Sequence, residues 1–506
     1  MTTLASKISD VQAALETLAR QHKVPGASLG ILHGSELVEF VTGVANRNTG
    51  VPVTTNTLFQ IGSNTKVYTA TLVMQLVDEG LVDLDAPVKK YLPKLKLADG
   101  KALEVITVRH LMTHTSGIEG DYFDDFGRGD DGIEKFVGSL KDIGQIYQPG
   151  VMWSYCNTGW TLLGHLVEKL RGEPYHKVLR DKLLTPIGAS ATTVLMEEML
   201  ARSCAVGHIA LPGAEPFVPP MVIMSPSHAP AGSMTSSTPA EVLRFVRMHL
   251  NGGRAKDTTR ILSAGSVKAM QQPQAKLPES SLGTAMGLGW ILSEWDGERV
   301  IGHGGGTIGQ VSFLQILPDR PFGVCLLTNS TSGGALWREL SRYLYHEFAD
   351  VRPPEVPSAP EVPPTLDLSK YTGAYTRLGI DIDVSVENEQ LVGEMKSTGA
   401  LASLAGPPQK IAARPIDKEI FLANLSGEDT IVQFLDFDRS GRPRYMHVGG
   451  RVSRRVQDGA SAPPSNRRSK SQPKRGSAKK SRPKRSTARK KAKPARRKAA
   501  GRRRKR

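Results

Sequence analysis

The sequence predicts an α/β fold built around one sheet, followed by a small antiparallel β domain and a basic tail. Three observations lead there. Strand-like runs occur near the start of the chain and again across residues 283–329, with helical patterns filling the interval. Six prolines among residues 351–364 make a stiff linker, and short alternating runs follow it from 368 to 455. Residues 461–506 hold 22 Lys or Arg with no Asp, Glu or aromatic residue, a composition that cannot bury a core. The expected organisation is therefore a unit at 1–350, a linker at 351–367, a β domain at 368–455 and a disordered tail at 456–506.

The formal charge of +17 is thus local. Without the tail, 44 of the 66 basic residues face all 49 acidic ones, a net charge of −5, which excludes an even nucleic-acid-binding surface. Cys156, Cys204 and Cys325 are odd in number and widely spaced, which argues against a disulfide framework or a structural zinc site and fits a reducing compartment. The first residues lack the apolar core of a signal peptide, and no run of about 18 apolar residues occurs. A cytoplasmic location is expected, without cofactor or metal.

Taken in order, residues 4–21 read as an amphipathic helix through Leu4, Ile8, Val11, Leu15 and Leu18. Ala27 to Leu32 and Leu37 to Val41 form two strands joined at His33-Gly34-Ser35. From Leu58 an apolar run enters a turn at Gly62, and a helix with an apolar side at Val67, Ala70, Leu72, Val73, Leu76 and Val77 follows. His110 and His114 are four apart without the acidic neighbour of a zinc hydrolase, so hydrogen bonding at a helix end accounts for them better than metal ligation. Residues 172–250 alternate helical patterns with Pro- and Gly-rich connections and end in a helix announced by Thr238-Pro239 and Glu241. Strand candidates then run from 283 to 329, and a helix from about Gly334 to Phe348 closes the unit. The late strands must return to the early ones.

Candidate chemistry sits at three places. Ser63 and Lys66 lie three apart at a helix start, where their side chains share a face and a lysine of lowered pKa can take the serine proton. Tyr155 and Asn157, two apart before another helix, project to one side; a buried aromatic and a helix cap explain them equally well. His303-Gly304-Gly305-Gly306 puts three costly glycines in a strand, which implies close approach of another backbone. If that strand borders the Ser63 turn, the N–H groups of Ser63 and Gly306 can hold an oxyanion.

With these residues in hand, the chain resembles the serine β-lactamase and penicillin-binding-protein superfamily, especially its class C, esterase and D-aminopeptidase branch. The motifs are Ser63-Asn64-Thr65-Lys66, Tyr155-Cys156-Asn157 and His303-Gly304-Gly305 in place of Lys-Thr-Gly, with the Met112 to Gly117 run also similar. The resemblance covers about residues 5–350. It implies a mixed sheet flanked by helices beside an all-helical region, with the active site between them, and residues 368–455 resemble lipocalin-like appendages. It further implies Ser63 as acylated nucleophile, Lys66 as base, Tyr155 as proton carrier, Asn157 as orienting Lys66 and substrate, and His303, Gly304 and Gly305 as substrate-orienting. His303 departs from the pattern: a largely neutral histidine does not supply the fixed charge of a lysine. That shifts the expectation towards esters, amides or short D-amino-acid peptides, handled through an acyl-enzyme. The alternatives are a β-lactam hydrolase or DD-peptidase, and a non-catalytic ligand-sensing or scaffold domain. The tail at 461–506 is expected to bind nucleic acid without sequence preference, with anionic membrane as the competing partner.

Overall fold

A computed structural model of the chain describes residues 4–279, 282–355, 358–400, 402, 406–425 and 428–456. The tail expected at 461–506 lies outside the described residues. Among them, the first part carries β1 (Gly26–His33), β2 (Glu36–Asn46), β3 (Val51–Pro52), β4 (Phe59–Gln60), β5 (Ser236–Ser237), β6 (Ala275–Lys276), β7 (Ala285–Met286), β8 (Ile291–Trp295), β9 (Glu298–Gly306), β10 (Val311–Leu317) and β11 (Phe322–Thr328). Nine of these form one sheet in the order β3-β2-β1-β11-β10-β9-β8-β7-β6, and β4 pairs with β5 apart from it. The late strands do return to the start: β1 pairs with β11 from Ala27 opposite Thr328 to His33 opposite Phe322. Where the resemblance implied a mixed sheet, the pairings are antiparallel throughout. Short turns connect β1 to β2 and the run from β7 to β11, and such turns join antiparallel neighbours.

Alternation along β1 divides the core. Ala27, Leu29 and Ile31 face a cluster roofed by the helices Ile8–Gln21 and Gly333–Ala349 through Val11, Leu15, Leu336 and Leu340. On the other face Gly30 lies against Pro239 and Leu243 of the helix Pro239–Leu250, whose start is capped by Thr238 as expected. Deeper on that side, the helix Thr65–Asp78 is buried at every residue from Thr65 to Leu76. The sequence predicted one apolar side. The helix instead sits between the sheet and the helical region, and its polar groups are met internally: Thr69 Oγ1 lies 2.7 Å from Tyr175 Oη. Between Leu200 and Ser225 no helix forms among the described residues, so the helical interval is looser than predicted.

Eight antiparallel strands, from Gly373–Arg377 to Arg451–Arg455, close into a barrel around Tyr375, Phe421 and Phe434. The barrel does not stand apart from the first unit. Gly450 O accepts from Tyr155 N at 2.9 Å, Val452 N donates to Ser154 Oγ at 3.1 Å and Leu378 N donates to Glu119 Oε2 at 2.9 Å. Among the described residues no helix is long and apolar enough to cross a membrane.

Candidate active site

Ser63 lies in a single 3-10 turn, Gly62–Asn64, that runs directly into the Thr65–Asp78 helix. The turn is tied to the sheet by Ser312 of β10, whose hydroxyl donates to Ile61 O at 2.8 Å and accepts from Asn64 Nδ2 at 2.7 Å. It also lies against β9. Gly62 has φ +52°, and a Cβ there would stand 2.6 Å from Gly306 N. Strand β8 accompanies β9 only as far as Ile291 opposite Gly302, so the His303–Gly306 end carries no strand on that flank and the Ser63 turn takes its place. Backbone approach accounts for Gly305, where a Cβ would stand 2.0 Å from Ile61 O; at Gly304 it would meet only Ser312 O at 3.9 Å and at Gly306 nothing within 4 Å, so the expectation holds for one of the three glycines.

Lys66 Nζ lies 2.9 Å from Ser63 Oγ and donates to Ala231 O at 2.6 Å. The side chain is wholly buried. Burial, reinforced by the Arg451 charge, pushes the Lys66 ammonium well below the ordinary lysine range, against a smaller opposite pull from Asp121. An amine freed of its proton at this distance can accept the serine hydroxyl proton.

Tyr155 is buried, with its ring 4.9 Å from Lys66 Nζ and stacked on His114 at 4.2 Å. Burial raises its phenol well above the usual tyrosine value, partly countered by a hydrogen bond with Ser63 and the Arg451 charge. His114 and His110 take the structural roles expected of them. His114 Nδ1 accepts from Cys156 N at 2.8 Å, and His110 Nδ1 accepts from Thr107 N at 3.2 Å in a capping box.

Asn157 opens the helix Asn157–Arg171, but the cap is Cys156, whose sulfur accepts from Gly159 N at 3.3 Å. Its amide Nδ2 donates to Asp121 Oδ1 at 2.9 Å, whereas the hydrogen bonds of Lys66 go to Ser63 and Ala231. His303 is buried, its ring 6.1 Å from that of Tyr155, and Nδ1 donates to Gly304 O at 2.5 Å. Burial and the neighbouring Lys66 push it down to about 3, so this histidine is neutral.

Fixed positive charge enters from another quarter. Arg451, on the last barrel strand, holds its guanidinium 4.7 Å from the Tyr155 ring centre and donates from Nε to Asp121 Oδ2 at 3.0 Å. Arg377, on the first barrel strand, reaches the same oxygen at 3.0 Å. The three sequence motifs thus meet as predicted, and Asp121, Arg377 and Arg451 join them unannounced. Nothing in their spacing marks them; a loop aspartate beside a Gly-rich motif is the only local hint.

The Beta-lactamase family model matches residues 11–345. Penicillin-binding protein 4 of Amycolatopsis lactamdurans is 42% identical over 370 residues, which span 73% of this chain and 97% of that protein. Among solved structures, SurE is similar with a TM-score of 0.74 at 26% identity, covering 90% of this chain and 100% of that one. D-amino acid amidase from Ochrobactrum anthropi SV3, complexed with D-phenylalanine, has a TM-score of 0.54 at 26% identity, covering 63% and 92% respectively.

Proposed function

Because the chain belongs to the Beta-lactamase family, we propose that it hydrolyses an ester or amide through an acyl-enzyme on Ser63. The observation that carries the reading is the buried Lys66 amine 2.9 Å from the Ser63 hydroxyl. In this reading Lys66 takes the proton as Ser63 attacks, and Tyr155 passes a proton to the leaving group. The N–H groups of Ser63 and Gly306 hold the oxyanion, while Asn157, His303, Gly304 and Gly305 line and orient the substrate. The similarity to a D-amino acid amidase supports small D-amino-acid amides or peptides as the substrate class.

A second reading, β-lactam or DD-peptide turnover, is favoured by one observation. The positive charge missing at His303 is present on Arg451 beside the Tyr155 ring, and in this reading a substrate carboxylate shares that guanidinium with Asp121. The similarity to a penicillin-binding protein points the same way.

Intact-mass analysis after incubation with a fluorophosphonate, and separately with a penicillin, tests both. One phosphonate adduct mapping to Ser63 is expected, and its absence from folded protein would return weight to a non-catalytic scaffold. A transient penicillin adduct at Ser63 selects the second reading.

The basic tail supports sequence-independent nucleic-acid binding, and the three free cysteines suit a cytoplasmic setting. Removing 461–506 is expected to abolish retention on duplex DNA at about 50 mM salt, while the full chain is released steeply as salt rises. Equal retention of both forms rejects the tail as a nucleic-acid arm.

A further inference from the structure

Asp121 stands where two parts of the molecule meet. One carboxylate oxygen accepts from the Asn157 amide, and the other accepts from Arg377 and Arg451, which come from the first and last strands of the barrel. Its side chain is only 13% exposed. A carboxylate only accepts hydrogen bonds, so its partner on Asn157 must be the NH2 group. The amide is therefore held in one orientation, with its carbonyl oxygen turned away from the carboxylate. On the opposite side, the same carboxylate anchors the Arg451 guanidinium beside the Tyr155 ring. The barrel hairpin is seated on this segment by the Gly450 O to Tyr155 N bond, which sets the distance.

We propose that Asp121 is a positioning residue through which the C-terminal barrel completes the Ser63 site, orienting Asn157 and setting the charge that Lys66 and Tyr155 experience. The proposal rests on the hydrolase reading. The charged and titratable groups around Lys66 come from several elements: Tyr155 and Cys156 before the Asn157–Arg171 helix, His114 after the short Val108–Met112 helix, His303 on β9, Asp121 in its loop and Arg451 from the barrel. Of these, Asp121 raises the Lys66 pKa and Arg451 lowers it, while the two histidines are buried and pushed below their ordinary range. Being opposite charges, the two partners of the ion pair act on Lys66 with opposite signs, and the orientation of Asn157 is the part of the role that a docking contact would not supply.

The experiment is the rate of Ser63 labelling by a fluorophosphonate as a function of pH, read by intact mass on the full chain. Asp121→Asn is expected to slow labelling roughly ten- to hundredfold at neutral pH and to move the acid limb of the profile to lower pH. Arg451→Gln is expected to move that limb to higher pH, with Asp121 still paired to Arg377. Coincident profiles, or shifts in the same direction, overturn the proposal. Should Asp121→Asn fail to fold, Arg451→Gln decides alone: an unmoved or lowered limb rejects it. Wild type that is not labelled at any pH rejects the hydrolase reading instead, so the two failures are distinguishable.

Discussion

Ser63→Ala, Lys66→Met and the double variant are each expected to lose about three to six orders of magnitude in turnover, with the double variant no worse than the worse single one. Nucleophile and base act as a unit, so removing either leaves only binding and oxyanion stabilisation, and removing the second costs little more. Lys66→Arg is not expected to rescue, since a guanidinium keeps its proton. Additive losses would mean that the pair, despite its 2.9 Å separation, does not share a proton.

The same lysine predicts a stability signature independent of substrate. Its folded pKa is depressed from the ordinary 10.5. Between the two values the unfolded chain binds more protons than the folded one, so wild-type stability rises with pH through that window, by at most about 1.4 kcal/mol per unit. Lys66→Met lacks this slope. The Tm of the variant relative to wild type should therefore be highest at the low-pH side of the window and decline as pH approaches 10.5. A difference that stays flat would show Lys66 protonated in the fold, and with it no base for Ser63.

Gly305→Ala is expected to destabilise the protein by about 2–4 kcal/mol and to cut turnover about a hundredfold. The added Cβ would stand 2.0 Å from Ile61 O and 2.4 Å from Ser312 Oγ. Neither neighbour can retreat cheaply. Ile61 O accepts the Ser312 hydroxyl, and Ile61 N donates to Thr235 O at 3.0 Å, so β9 must move away from the Ser63 turn. Gly304→Ala is the internal control. Its Cβ would meet only Ser312 O at 3.9 Å, an ordinary contact, and a change of no more than about 1 kcal/mol is expected. Urea melts of the two variants decide the matter: equal losses of stability would show that the close approach at Gly305 does not hold the site together.

Much of this architecture was legible in the chain because it rests on local periodicity. Short strand-like runs marked β1 and β2, alternation marked the barrel strands, and turn residues marked the hairpin at Gly34. Capping chemistry marked the helix starting at Pro239. The site motifs were legible for the same reason: Ser63 and Lys66 are neighbours on one helical face, and the glycine run in β9 announced the approaching backbone that Gly305 alone of the three meets. Other expectations gave way where packing outranks pattern. The Thr65–Asp78 helix is buried on all sides because sheet and helical region close over it, which its threonines tolerate through internal hydrogen bonds. Asn157 was read as the helix cap or as the partner of Lys66; Cys156 caps the helix, and Asp121 holds the amide.

By itself the sequence determined the order of elements, the reactive pair and the glycine strand, all set by residues within a few positions of one another. Only the tertiary structure decided the electrostatics around that pair. Arg451 meets Asp121 across 330 residues, and His303 is made neutral by burial. An ion pair between distant segments leaves no periodic trace in either of them. The degree to which a lysine is desolvated depends on everything packed around it, and not on its own neighbours in the chain.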